Sequence, residues 1–105
     1  MTVKQQFSNF QELISSSSVP VIVVFYATWC GTCKLMAPIL EQVKNQMGSR
    51  LKVVKINADK YPQLASEHQI QALPTLLLFQ NGELVLRIKG VMQAPQLIKQ
   101  LEKYL

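Results

Sequence analysis

The apolar segment Val21–Tyr26 shows no alternation of polar and apolar positions. A strand with that pattern has both faces buried, as in the centre of a sheet. The period then changes, because apolar side chains recur at spacings of three and four as far as Gly48, namely Met36, Ile39, Leu40, Val43 and Met47. This spacing predicts an amphipathic helix that ends at the glycine.

Three further runs rich in apolar residues, and one weak one, predict the remaining strands. We place the strands at 21–27, 51–58, 75–80 and 83–89, with a short edge strand at 3–5. Because strand–helix–strand connections are right-handed, the strand at 51–58 should lie parallel to the strand at 21–27. Asn81-Gly82 separates the last two strands and is the strongest two-residue hairpin signal.

Helical spacing and capping residues predict three more helices. The first carries an apolar face of Phe10, Leu13 and Ile14, and Ser8 with Gln11 resembles a capping box at its start. The second runs from Asp59, its N-cap, to about residue 68, and the third covers 94–105. After the first helix the order is β-α-β-α-β-β-α, which predicts an α/β fold with a mixed sheet flanked by helices.

The composition limits the classes of protein that fit. A chain of 105 residues, 49% of them apolar, is enough for one domain with a single core, which we place at 1–105. The N-terminus is polar and no stretch approaches the length of a membrane span, so we expect a cytoplasmic protein. The net charge of +5 suggests somewhat acidic partners, but the lysines are dispersed among acids and glutamines. This favours a solvated basic surface over a nucleic-acid interface.

Cys30 and Cys33 are the only cysteines, and they lie where the buried strand gives way to the helix. A helix start offers unpaired N–H groups and about half a unit of positive charge, which should lower the pKa of Cys30. Cys33 follows one turn later on the same face, while Trp29 supplies an apolar cover. The arrangement favours thiol–disulfide exchange in which exposed Cys30 attacks a target disulfide and the more interior Cys33 resolves the mixed disulfide.

Three alternative roles for the cysteine pair fit less well. A structural staple is disfavoured, since a loop this short stabilises by about 2 kcal/mol against nearly 5 for a hundred-residue loop. A zinc site would need two more ligands, and the remaining soft candidate, His68, is distant and reads as a surface histidine. Two unreactive core cysteines would leave the tryptophan and the helix start unexplained. We therefore expect neither a metal nor a cofactor.

The motif W-C-G-T-C-K at these cysteines resembles the W-C-G-P-C-K site of the thioredoxin family. The likeness continues in M-A-P-I-L, V-K-I-N-A-D, L-P-T-L-L-L-F and N-G-E, in the family's order, and ends at Gly90. It implies the thioredoxin fold and a monomeric oxidoreductase that reduces disulfides in target proteins. It also implies recycling by a thioredoxin reductase, without a bound cofactor.

The resemblance also assigns residues outside the cysteine pair. Only about 5–6% of X–Pro bonds are cis, but Pro74 in L-P-T matches the family's cis-proline, which faces the active site. The backbone of Leu73 would then pair with an extended target segment. The docking surface around Cys30 would comprise small or apolar residues, namely Gly31, Ala72, Leu73 and Gly90. Lys89 replaces a usual apolar residue and would make that surface more basic.

Two departures from the family pattern bear on mechanism. Thr32 stands where the family has proline, so its backbone N–H could donate to the Cys30 thiolate and make the pair more oxidising. Val24 stands where the family usually has a buried aspartate that accepts a proton from the resolving cysteine. Lys55 would then lack its partner. It is either a partly buried lysine whose amine reaches water or a participant in deprotonating Cys33.

Two rival functions follow from these features. Thr32 makes a net oxidant or disulfide isomerase plausible, and the equilibrium potential against glutathione distinguishes this from a reductant. A binding module that uses the fold only as a docking surface would keep its function in the Cys30→Ser variant.

Overall fold

The computed structural model describes residues 10–105 as a four-stranded sheet with helices on both faces. In chain order the elements are α1 (Phe10–Ser15), β1 (Val21–Tyr26), α2 (Gly31–Met47), a 3-10 turn (Gly48–Arg50), β2 (Lys52–Asn57), α3 (Pro62–Glu67), β3 (Thr75–Gln80), β4 (Glu83–Lys89) and α4 (Ala94–Glu102). No helix in that range is both long enough and apolar enough to cross a membrane. The predicted edge strand at 3–5 and the Ser8 cap lie outside the described residues.

The sheet is mixed, as predicted, with the strand order β2-β1-β3-β4. β1 is parallel to β2, with Val24 opposite Lys55, and antiparallel to β3. The third pair, β3 and β4, is an antiparallel hairpin with a register irregularity between Leu78 and Phe79. The predicted parallel pairing is therefore confirmed. β1 lies between two strands, which agrees with its unbroken apolar sequence.

Each face of the sheet packs against its own pair of helices. On one face, α2 and α4 cover Ile22, Val24, Leu76 and Leu78; the predicted apolar stripe of α2, from Met36 to Met47, is buried there. On the other face, α1 and α3 cover the intervening side chains, which include Val23, Phe25 and Leu77. Both faces of β1 are thus buried, and its C-terminal end has a fixed position between the two cores.

Helix boundaries differ from the predictions mainly at α3. The helix begins at Pro62 with Tyr61 as its N-cap, so the prediction that Asp59 caps it is wrong. Asn57 instead accepts hydrogen bonds from the backbone N–H groups of Asp59 and Lys60, at 2.9 and 3.2 Å. These bonds form a turn that delays the helix and leaves the Asp59 carboxylate available elsewhere.

His68 is half-buried, so the prediction of a surface histidine is also wrong. Its ring centroid lies 5.1 Å from Phe10, 5.9 Å from Phe79 and 6.0 Å from Phe25. Its Nδ1 donates to the Leu64 carbonyl at 2.9 Å. The sequence did not indicate this position, because the residues next to His68 are polar. At the end of α3 the ring points inward and makes edge contacts with aromatic rings.

Strand β4 holds the loop that follows α3. Arg87 donates to the carbonyl oxygens of His68, at 2.9 Å, and Gln69, at 3.4 Å. At the other end of the loop, the Gly90 N–H donates to the Pro74 carbonyl at 2.8 Å. The two contacts position the segment that faces the cysteines.

The predicted hairpin turn is present, with Asn81 and Gly82 both at positive φ, 54° and 82°. A Cβ built on Gly82 would lie 3.0 Å from Cβ of Ser15. Both the backbone conformation and the close approach of α1 therefore require glycine here.

We predict that Gly82→Ala lowers the free energy of unfolding by about 1–2 kcal/mol from the left-handed backbone alone, with the contact to α1 adding to it. Gly31→Ala is the matched control, because no atom of the described part of the chain is recorded within 4 Å of its built Cβ. The control should leave stability unchanged or raise it by at most about 1 kcal/mol. Urea unfolding of the oxidised proteins measures both values, and equal stabilities would contradict the argument.

Candidate active site

The two cysteines lie at the junction of β1 and α2. Cys30 is the N-cap of α2, with an extended backbone (φ −86°, ψ 110°), and its N–H donates to the Ala27 carbonyl at 3.2 Å. Cys33 is the third helical residue, and the two sulfurs form a disulfide with Cα atoms 5.3 Å apart. The predicted helix start and sulfur proximity are confirmed.

Two donors approach the sulfur of Cys30. The backbone N–H of Cys33 donates to it at 3.2 Å, which makes the sulfur the helix cap. The Thr32 hydroxyl lies 3.3 Å away and must be the donor, because a disulfide-bonded sulfur carries no hydrogen. The expected donor was the backbone N–H of Thr32. The structure shows instead that the Thr32 side-chain hydroxyl contacts the sulfur.

The extent of exposure does not distinguish the two cysteines. Cys30 is 6% and Cys33 8% exposed, so the expectation of an exposed Cys30 is wrong for this disulfide form. Ala27, Tyr26 and Leu73 pack around the pair, and the Leu73 carbonyl oxygen lies 3.8 Å from the sulfur of Cys30. What distinguishes the cysteines is direction, since each lines a different cavity.

Cys30 lines a groove of about 270 Å³, which we call the target groove. Its lining residues are mainly small or apolar: Trp29, Cys30, Ala58, Ala65, Ile70, Gln71, Ala72 and Leu73. The structure therefore brings Trp29, Ala72 and Leu73 together beside Cys30, as expected. The remaining four residues were missed, because they come from the end of β2, from α3 and from the following loop.

Trp29 forms a wall of this groove and does not cover the cysteines. The side chain is 70% exposed, and its indole N–H donates to the Asp59 carboxylate at 2.7 Å. The expectation of an apolar cover was wrong, because Asp59 holds the ring out towards solvent. An exposed aromatic ring fixed by one hydrogen bond offers a stacking or packing surface for a partner.

The Leu73–Pro74 peptide bond is cis, as the resemblance implies. Gly90 follows the end of β4 and is tied to Pro74, while exposed Lys89 pairs with Thr75 at the last position of that strand. Neither Lys89 nor Gly90 lines the target groove itself. They belong to the adjoining surface, and their assignment to target binding stays a prediction.

Cys33 lines a second and larger cavity, of about 400 Å³, which we call the Lys55 cavity. Val24 and Lys55, neighbours across β1 and β2, line it together with Cys33. Lys55 is exposed and not partly buried as expected, because β2 is the outer strand of the described sheet. Lys55 lies in the same cavity as Cys33, and its part in deprotonating that cysteine stays a prediction.

Comparison with known proteins agrees with this site. The thioredoxin family model matches residues 1–103. A thioredoxin-like protein of Synechocystis sp. is 56% identical over 104 residues, 99% of each chain. Thioredoxin 1 of Nostoc sp. is 40% identical over 98 residues, 93% of this chain and 92% of its own. Thioredoxin Y, chloroplastic, of Oryza sativa subsp. japonica is 49% identical over 102 residues, 97% of this chain but 61% of its own.

A cysteine pair at a helix start, beside a cis-proline on a mixed sheet, defines a dithiol–disulfide protein, and this chain belongs to the thioredoxin family. It is a thiol–disulfide oxidoreductase that acts on disulfides of other proteins. Within residues 10–105 no group of three His, Cys, Asp or Glu side chains is placed to hold a metal ion.

We predict that Asp59→Ala frees the Trp29 ring, because it removes the acceptor at 2.7 Å. Trp29 is the sole tryptophan, so time-resolved fluorescence anisotropy reports on this ring alone. The amplitude of fast local rotation should increase, and Asp59→Asn, which keeps an acceptor oxygen, should stay closer to the wild type. Equal amplitudes in Asp59→Ala and the wild type would refute the role of this hydrogen bond.

Proposed function

We propose that Cys30 is the nucleophile and Cys33 the resolving residue in the reduction of target-protein disulfides. The observation that carries this assignment is that Cys30 lines the target groove and Cys33 does not. The Cys30 thiolate attacks a target sulfur, which breaks the target disulfide and releases one target thiolate. The Cys33 thiolate then attacks Cys30, closes the Cys30–Cys33 disulfide and releases the second target thiol.

The target groove suits an extended peptide. Trp29 forms one wall, and the loop carrying Ala72 and Leu73 forms the other, close to the sulfur of Cys30. Exposed Gly31 has open space around a built Cβ, so the fold itself does not require glycine there. Its small size is better explained by the approach of a target chain, with Gly90 and Lys89 extending the docking surface.

The setting of the reaction is also part of the proposal. A cysteine pair that reduces other proteins must be returned to the dithiol, so the protein requires a reductase and a reducing compartment such as the cytoplasm. We propose that residues 1–105 form one domain that works as a monomer. Insulin reduction assayed in parallel with a flavin/NADPH-dependent and an iron–sulfur reductase would identify the donor.

We predict that Cys33→Ser traps a mixed disulfide between Cys30 and a target peptide, because the second attack is lost. Mass spectrometry of the unreduced mixture should show protein plus one half of the peptide disulfide. Cys30→Ser should form no such adduct under the same conditions. The assignment of roles fails if Cys30→Ser traps the peptide as readily as Cys33→Ser.

A second candidate function, a more oxidising exchange protein or isomerase, is favoured by the contact of Thr32 with Cys30. A hydroxyl that donates to sulfur at 3.3 Å stabilises a thiolate more than it stabilises a disulfide, since the thiolate carries the charge. The hydrogen bond therefore stabilises the reduced form relative to the disulfide, which raises the reduction potential of the Cys30–Cys33 pair. The equilibrium with glutathione determines whether this shift makes the protein a net oxidant.

Thr32→Val should lower the reduction potential by about 30 mV, which corresponds to roughly 1.4 kcal/mol and to one hydrogen bond. Valine keeps the shape of threonine and removes only the donor. Thr32→Ser restores a hydroxyl and should recover most of the difference. Redox titration against glutathione measures all three proteins, and a potential in Thr32→Val equal to or above the wild type would contradict the argument.

A further inference from the structure

We propose that the Lys55 cavity binds a small monocarboxylate with a short apolar tail, and that the bound carboxylate accepts the proton of Cys33. The site is separate from the target groove, because the described residues that line the two cavities are all different. The proton-accepting role rests on the proposed function of Cys33, whereas binding itself does not.

The shape of the Lys55 cavity fits a small ligand. Its volume of about 400 Å³ lies within the range of roughly 300–1,000 Å³ that small-molecule sites occupy. The floor is apolar and buried, with Val24 2%, Met36 3% and Leu40 4% exposed. An apolar floor of this kind favours a hydrocarbon tail, since each methylene that leaves water tightens binding by about fourfold.

The charges around the Lys55 cavity select an anion. Two exposed lysines, Lys34 and Lys55, stand at its rim, and none of the described residues that line it is acidic. An ammonium group pairs with a carboxylate through charge-assisted hydrogen bonds. The combination of cationic rim and apolar floor therefore calls for an amphipathic anion, in which the tail faces Val24 and the carboxylate stays near Lys55.

The position of Cys33 gives such a ligand a chemical role. Cys33 must lose its proton before it can attack the mixed disulfide at Cys30, and among residues 10–105 none that lines the cavity carries a carboxylate or imidazole. A bound carboxylate takes that proton; the Cys33 sulfur then bonds to the Cys30 sulfur, and the bond between Cys30 and the target sulfur breaks. The departing target thiolate takes a proton from solvent, and the protonated carboxylic acid returns its proton to solvent. The number of protons on the protein and its ligand is then the same as before the proton transfer, apart from the proton that Cys33 has lost.

Binding is tested on the oxidised, ¹⁵N-labelled full chain, which needs no redox partner. Titration with hexanoate should give saturable amide shifts around Val24, Cys33 and Lys55, and butyrate, two methylenes shorter, should bind about sixteenfold more weakly. Lys55→Met should weaken hexanoate by about two- to fivefold, as expected for an exposed ion pair. Lys99→Met is the matched control, because Lys99 is an exposed lysine on α4 that does not line the cavity.

Hexan-1-ol separates the anion from the tail. Binding of the alcohol as tight as that of hexanoate would overturn the carboxylate site, as would shifts that are dispersed or absent. Equal weakening in Lys55→Met and Lys99→Met would also overturn it, since that result would indicate a general charge effect.

The proton-accepting role is tested by stopped flow with reduced protein and 4,4′-dithiodipyridine. The first thiopyridone released reports attack by Cys30, and the second reports resolution by Cys33. Saturating hexanoate should increase the rate constant of the second phase about tenfold over the rate without hexanoate. This increase is smaller than the effect of a general base fixed in the protein. The half-saturation concentration should match the affinity from the amide shifts and move with it in Lys55→Met. Binding without this acceleration would overturn the proton-accepting role.

Insulin reduction is measured on the same preparation. Normal insulin reduction with no hexanoate binding would refute the further site and leave the proposed function intact. Hexanoate binding without insulin reduction would refute the proposed function and leave the binding site intact. Val24→Asp supplies a fixed carboxylate in the cavity and should abolish the response to hexanoate, while Lys55→Met keeps the test decisive if that variant fails to fold.

Discussion

The sulfur of Cys30 caps the helix that carries its partner, and the geometry of the site depends on this one hydrogen bond. The Cys33 N–H at the start of α2 has no carbonyl partner within the helix and donates to that sulfur at 3.2 Å. The reactive atom is therefore held by the backbone that also positions the resolving cysteine. β1, which is buried on both faces, ends four residues before Cys30, and Ala27 packs directly against the cysteine pair.

The same junction separates the two cysteines by direction. Cys30 opens to a groove of small and apolar residues, and Cys33 to a cavity with a cationic rim. Since the two cysteines are almost equally buried in the disulfide form, their surroundings and not their depth distinguish them. A peptide chain suits the groove, whereas small solutes suit the cavity. The two steps of an exchange reaction can therefore draw on different surroundings although the sulfurs are joined.

Local features of the fold and site were predictable from the sequence. The buried strand, the stripe on α2, the helix stop at Gly48 and the Asn81-Gly82 turn each depend on neighbours within a few residues, so period and turn chemistry indicate them. The cysteine pair is equally local. The cis state of Pro74 came from the family resemblance and not from the residue itself.

Long-range contacts were not predictable from the pattern of residues. Asp59 read as a helix cap, but it binds Trp29, which lies 30 positions earlier in the chain. His68 read as exposed because its sequence neighbours are polar, yet the fold brings three phenylalanine rings to it, Phe10 from α1, Phe25 from β1 and Phe79 from β3. Both outcomes depend on where β1, β2 and β3 bring distant segments together, which hydrophobic period does not specify.

The attachment of the loop after α3 to β4 has a consequence for recognition. Arg87 of β4 holds the beginning of that loop and Gly90, just after β4, holds its end, while the Thr75 hydroxyl of β3 donates to the Ala72 carbonyl beside the target groove. An incoming chain therefore meets a surface whose conformational entropy was already lost when the protein folded. Association then has less ordering to oppose it, so fewer or weaker contacts are enough for binding. The two anchored ends of the loop thus lower the entropic cost of binding a target segment.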